Sequence, residues 1–125
     1  MIPRQIIELL VKDLSCRIPY GVIVTNDGSF NVKLTSVSWY GEVGVDDGST
    51  YLYPISKIKP YLFPLSSMTE TQKEEYAHIL AMSSNLAYSQ LLGMTVEDWL
   101  NKNHFDYRGL IPMGLANDAT GLNIY

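Results

Sequence analysis

Two short turn sequences, Asn26-Asp27-Gly28-Ser29 and Asp46-Asp47-Gly48-Ser49, constrain the first half of the chain more than any other feature. Asn, Asp and Gly accept the backbone angles of a tight reversal, and a connection this short joins only antiparallel neighbours. The flanking segments suit strands. Gly21-Val22-Ile23-Val24-Thr25 is rich in β-branched residues, and Phe30, Val32 and Leu34 alternate with Asn31, Lys33 and Thr35. Trp39 to Val45 reads as a third strand, in which Gly41 and Gly44 mark bulges or close backbone approach. Thr50-Tyr51-Leu52-Tyr53 reads as a fourth. The segment predicts an antiparallel meander of three to five short strands, curled and able to close into a small barrel.

Helical spacing brackets this sheet. After Pro3, Ile6, Ile7, Leu10 and Leu14 recur on one face, with Glu8, Lys12 and Asp13 assigned to the solvent side. The helix is expected to run to about Ser15 and to stop before Ile18-Pro19. Pro54, Pro60 and Pro64 punctuate an extended segment, and any strand there is expected at a sheet edge, because proline cannot donate to a ladder. Thr69 and Gln72 fit a capping box that opens a second helix, with Tyr76, Ile79, Leu80 and Met82 on its apolar face and Ser83-Ser84-Asn85 at its end. Leu86 to Leu92 fits a short helix or a loop. Thr95 caps a last helix with Glu97 and Asp98 in its first turn and Trp99 and Leu100 as its buried face. The expected fold is α+β in a single domain over residues 1–125: an N-terminal helix, a small curled antiparallel sheet of three to five strands, then two or three C-terminal helices.

Composition narrows the function. Hydrophobic residues make up 46% of the 125 residues and charged residues 18%, a globular balance. Thirteen acids against 9 Lys and Arg leave a net charge of −4, the wrong sign for a duplex nucleic-acid binder. Lys57 and Lys59 lie in an acid-free stretch, which a solvated strand edge explains. No segment approaches the roughly 18 apolar residues of a membrane span, and no signal sequence is evident. The single cysteine, Cys16, follows an apolar helix face and is read as a small core residue; a lone cysteine favours a reducing, cytoplasmic setting.

Motifs for chemistry are missing. His78 and His104 with one cysteine do not make a zinc signature, and no nucleophile elbow, phosphate loop or dinucleotide fingerprint occurs. A convergence of Cys16, His104 and Asp106 is a conceivable nucleophile–base arrangement, and no local motif supports it. The acid pairs Asp46-Asp47, Glu74-Glu75 and Glu97-Asp98 fall in a turn, a solvated helix face and a helix start. No catalytic residue, metal or cofactor is expected.

The densest polar and aromatic cluster is His104 to Arg108. Tyr107 and Arg108 are typical interface anchors, and His104, Asp106, Tyr107 and Arg108 are the candidate interaction residues. A structural reading stands beside this one: His104 on the carbonyls of a helix end, Asp106 in a local turn, and Arg108 paired with Asp106 or another carboxylate. The 9 tyrosines, among them Tyr40, Tyr51, Tyr53 and Tyr61 near the strands, suit the rim of a core or an interface.

The run Trp99-Leu100-Asn101-Lys102-Asn103-His104-Phe105-Asp106-Tyr107-Arg108-Gly109-Leu110-Ile111, followed by Gly114-Leu115-Ala116, resembles a tail of short proteins of prophages and mobile elements of anaerobic gut bacteria. Pro64-Leu65-Ser66-Ser67-Met68-Thr69 and Tyr53-Pro54-Ile55-Ser56 fit the same resemblance. It covers the second half of the chain well and the first half loosely. The family carries no established activity, so the resemblance implies an accessory role in a phage or mobile element and transfers no site. The leading expectation is a non-catalytic protein-interaction module with a protein partner or a second copy of itself. The alternatives are a single-stranded nucleic-acid binder using strand aromatics with Lys33, Lys57, Lys59 or Arg108, and a small enzyme with a site around His104.

Overall fold

Leu10 and Leu14, one helical turn apart, drive the first helix onto the face of a sheet. The computed structural model describes residues 3–26, 31–48, 50–83 and 95–125. In chain order these form α1 (Arg4–Arg17), β1 (Ile23–Thr25), β2 (Asn31–Val37), β3 (Glu42–Val45), β4 (Tyr53–Pro54), β5 (Lys59–Pro64), α2 (Glu70–Ser83), α3 (Val96–Lys102), β6 (Phe105–Asp106) and β7 (Asn117–Asp118). The architecture is α+β. Among the described residues, seven strands make one mixed sheet in the order β4-β3-β2-β1-β5-β6, with β7 also on β5. Leu10 and Leu14 pack into a core with Val22, Val24, Leu34, Val43, Ile55, Ile58 and Leu62. A second, aromatic cluster of Trp99, Leu100 and Phe105 is covered by Phe63, Met68, Tyr76 and Ile79.

The meander from β1 to β4 is antiparallel throughout. A one-residue bulge interrupts β2 between Leu34 and Ser36. It shifts the alternation by one position, so that Val37, and not Ser36, packs with Val32 and Leu34 against the core. Gly44 faces this bulge, where a Cβ would stand 2.5 Å from the Ser36 hydroxyl. Both capping boxes form: Thr69 with Gln72, and Thr95 with Asp98.

Several expectations need correction. The sheet is mixed and wider than three to five antiparallel strands, because β6 and β7 join β5 in parallel. The long connection through α2 and α3 returns the chain in the direction of β5, which a tight turn cannot do. These two-residue strands are too short to carry a period that sequence reading can detect. The sheet is open: its path runs from β4 to β6 without closing.

The proline-bearing strand β5 is an inner strand, not an edge. It pairs with β1 at Val24↔Pro60 and Thr25↔Lys59. Since proline has no N–H, Val24 and Pro60 must form a non-hydrogen-bonded pair, where the ladder asks nothing of Pro60. The third strand begins only at Glu42, with Trp39 and Tyr40 in the preceding turn, and the fourth is Tyr53–Pro54. Asp13 is fully buried instead of solvated, Cys16 is exposed instead of in the core, and Leu80 points outward. The expectations for Asp27-Gly28-Ser29, Ser84-Asn85 and Leu86 to Leu92 lie outside the described residues.

Candidate functional site

The His104–Arg108 segment is built by the end of α3. Asn103 caps the helix and donates from its side chain to the Trp99 carbonyl at 2.9 Å. His104 then takes a left-handed conformation (φ 61°), which turns the chain into β6 and lets its carbonyl accept from the Phe63 N–H at 2.8 Å. Asp106 accepts from the Leu110 and Ile111 N–H groups at 2.8 and 2.9 Å and closes the following loop.

Arg108 reaches back 95 residues along the chain to Asp13, donating from Nη1 to Oδ1 at 2.8 Å. Arg17, one helical turn beyond Asp13, donates from Nε to Oδ2 at 2.8 Å and from Nη2 to Oδ1 at 3.0 Å. The same Nη2 also donates to the Phe105 carbonyl at 2.9 Å. Both guanidiniums also lie over the Tyr107 ring, Arg17 at 5.4 Å and Arg108 at 4.6 Å from its centre. The Tyr107 hydroxyl donates to Asn101 Oδ1 at 3.0 Å and accepts from Arg108 at 2.9 Å. One fully buried carboxylate thus serves two cations and ties α1 to β6 and α3.

His104 lies beside this knot. Its ring stacks on Tyr125 at 3.6 Å with 10° between the planes. Burial, and then the charge of Arg17, push its pKa down to about 4, so the ring is neutral at neutral pH. The Tyr125 hydroxyl has a structural task of its own. It donates to the Tyr61 carbonyl at 2.8 Å and accepts from the Ile23 N–H at 2.9 Å. The β1–β5 register, continued by one residue, places Ile23 opposite Tyr61, at the next hydrogen-bonded position of the ladder. The phenol therefore bridges the strands where they splay, and burial raises its pKa to about 12.

The structure brings His104, Asp106, Tyr107 and Arg108 into one neighbourhood and engages the side chains of Asp106, Tyr107 and Arg108 in internal hydrogen bonds, while the buried His104 Nδ1 has no hydrogen-bond partner. Two members of the knot escaped sequence reading, Asp13 and Arg17. They share the helical stripe of Leu10 and Leu14, and their i,i+4 spacing is that of an ion pair. Its charge alone assigns Asp13 to solvent, and Arg17 lies past the expected helix end at Ser15 with no role assigned to it. Cys16 is exposed, so it does not join His104 and Asp106 as a buried triad. Among the described residues, no group of three or more His, Cys, Asp or Glu is placed to hold a metal ion, and no helix is long and apolar enough to cross a membrane.

The opposite arrangement occurs at the β2–β3 reversal. Ser38-Trp39-Tyr40-Gly41 is a tight turn closed by the Gly41 N–H on the Ser38 carbonyl at 3.1 Å. Its two central positions, usually held by Pro, Gly, Asn or Asp, carry Trp39 and Tyr40, which are 81% and 55% exposed. Ser38 and Glu42 lock the base: Ser38 N–H donates to the Glu42 carbonyl at 2.8 Å, and Glu42 N–H donates to Ser38 Oγ at 2.9 Å. The Ile55 N–H donates to the Gly41 carbonyl at 2.8 Å. Gly41 has φ 92°, and a Cβ there would come within 3.1 Å of Ile7, so only glycine lets the turn seat on α1. Tyr51 and Leu52, ahead of β4, are exposed as well.

The fold is α+β, with an inward-facing ion-pair knot and an outward-facing aromatic turn. No protein-family model, no curated protein and no solved structure matches the chain.

Proposed function

We propose that the protein is a non-catalytic protein-interaction module whose contact surface is the Trp39–Tyr40 turn and the adjoining face of α1. One observation carries the reading: two large aromatic side chains are held in water by a turn whose base, at Ser38, Gly41 and Glu42, is locked by backbone hydrogen bonds. Exposed Trp and Tyr on a fixed backbone form a contact surface at low entropic cost, because little is left to order on binding. The cluster at His104–Arg108, by contrast, is already engaged with Asp13, Asn101 and backbone groups. A phage or mobile element is the context we propose with it, supported by the resemblance of the C-terminal stretch alone.

The test compares the wild-type chain with a Trp39→Ala, Tyr40→Ala double variant in crosslinking with mass spectrometry, in its host, and in sedimentation velocity. Crosslinks from Glu8, which lines the cleft under the turn, and from Glu42, which follows the turn, to one protein or to a second copy are expected in the wild type and not in the variant. Identical crosslinks and sedimentation for the two chains, at equal melting temperature, would overturn the reading.

A further inference from the structure

We infer that the cleft between the Trp39–Tyr40 turn and the first two turns of α1 is a receptor for a single cationic side chain, lysine or arginine, of a partner protein. This rests on the interaction-module reading and names what its surface recognises. The cleft has a volume of about 350 Å³ and is lined by Arg4, Ile7, Glu8, Trp39 and Tyr40. That is the low end of the range for ligand sites, suited to one side chain and not to a cofactor.

The walls specify the chemistry. Trp39 and Tyr40 pack edge to face, at 88° with ring centres 5.5 Å apart, and both line the cleft. Ile7 supplies an apolar floor. The Glu8 carboxylate lines the same cleft. Aromatic faces carry the negative side of the ring quadrupole, so rings and carboxylate attract a cation together and repel an anion. The aliphatic stem of a lysine or arginine has Ile7 and the ring faces to lie on while its head reaches the acid. The chain's net charge of −4 draws the same class of partner over longer range.

Arg4 already occupies the role in miniature. Its Nε donates to Glu8 Oε1 at 3.2 Å, and both side chains are largely exposed. An exposed i,i+4 pair of this kind is weak, so an incoming cation displaces Arg4 with little loss. The guest differs from Arg4 in gaining both rings and the acid at once. Removing Arg4 therefore strengthens binding, an outcome that a purely apolar docking surface does not produce.

The probes are N-acetyl-argininamide, N-acetyl-leucinamide and methyl glucoside, titrated into the full chain while the indole N–H resonances of Trp39 and Trp99 are followed by NMR. Trp99 is buried and acts as the internal reference. The expected result is a saturable shift of the Trp39 signal with the arginine probe, about threefold or more tighter than with the leucine probe. Glu8→Gln weakens the arginine probe by a similar factor, and Arg4→Gln tightens it. Equal or tighter binding of the leucine probe, a preference for the sugar, or no Trp39 shift with any probe would each overturn the cationic assignment. None of these would remove a partner lost on Trp39→Ala, Tyr40→Ala, so the interaction-module reading fails or stands separately.

Discussion

The two tryptophans of this chain teach opposite lessons. Trp99 lies between Tyr76 and Phe105, each ring centre 5.7 Å away, and its indole N–H donates to Glu75 at 3.2 Å. The aromatic contacts continue from Phe105 through Phe63 to Tyr125 and His104. Trp39 meets one ring, Tyr40, and otherwise faces water. Residue type is the same; the difference is whether another element arrives to cover it. α2 and β6 cover Trp99, whereas Trp39 stays 81% exposed. Buried rings of the first kind stabilise the fold, and rings of the second kind are available to a partner.

The buried side of that comparison breaks hardest at Asp13. Asp13→Ala leaves two guanidiniums facing each other without their carboxylate, and is expected to cost about 3–5 kcal/mol in urea unfolding. A loss below about 1 kcal/mol would mean that water reaches the knot. Tyr125→Phe keeps the ring stack and removes only the phenol that bridges Ile23 and Tyr61. Its expected cost is about 1–3 kcal/mol, since a strand N–H and a carbonyl lose their partner together. Hydrogen exchange at Ile23 should quicken in the same variant.

His104 gives the comparison a pH axis. Its folded pKa of about 4 lies below the ordinary histidine value, so between the two the unfolded chain binds the extra proton. Stability is complete above pH 6.5 and declines as pH falls towards 4. Discounted for partial solvent screening, the loss between pH 7 and pH 5 is about 1–2 kcal/mol. His104→Asn retains a residue tolerant of φ 61° and removes the titrating ring. Its stability should be lower at pH 7 but flatter over the same interval, and an unchanged slope would assign the effect to other groups.

The smallest effect belongs to the exposed side. Trp39→Ala should change stability by no more than about 0.5 kcal/mol, while Trp99→Ala costs about 3–5 kcal/mol. A large loss at Trp39 would show that the turn belongs to the core and would remove the premise of the contact surface.

Much of the fold is legible in local pattern. The Ile6–Leu14 spacing, the two capping boxes, the hairpin of β1 and β2 and the buried face of Trp99 and Leu100 all follow from residues a few positions apart. The candidate cluster at His104–Arg108 is legible as a cluster, but not in its direction. The sequence shows an aromatic and an arginine; only Asp13, brought 95 residues across the fold, turns them inward. Trp39 and Tyr40 read as strand residues, because β-propensity describes a half-buried surface and carries no information about which surface is buried.

What the sequence by itself determined is therefore local: where helices begin, where the chain reverses, and which residues alternate or recur at a helical period. Those features rest on hydrogen bonds and sterics within a few residues. Only the tertiary structure decided that β6 and β7 run parallel to β5, that Pro60 sits in an inner strand, and that Asp13 and Arg17 are interior charges. Each depends on a partner distant in sequence. A two-residue strand has no period to read, and a charged side chain is buried only when its counter-charge arrives with it.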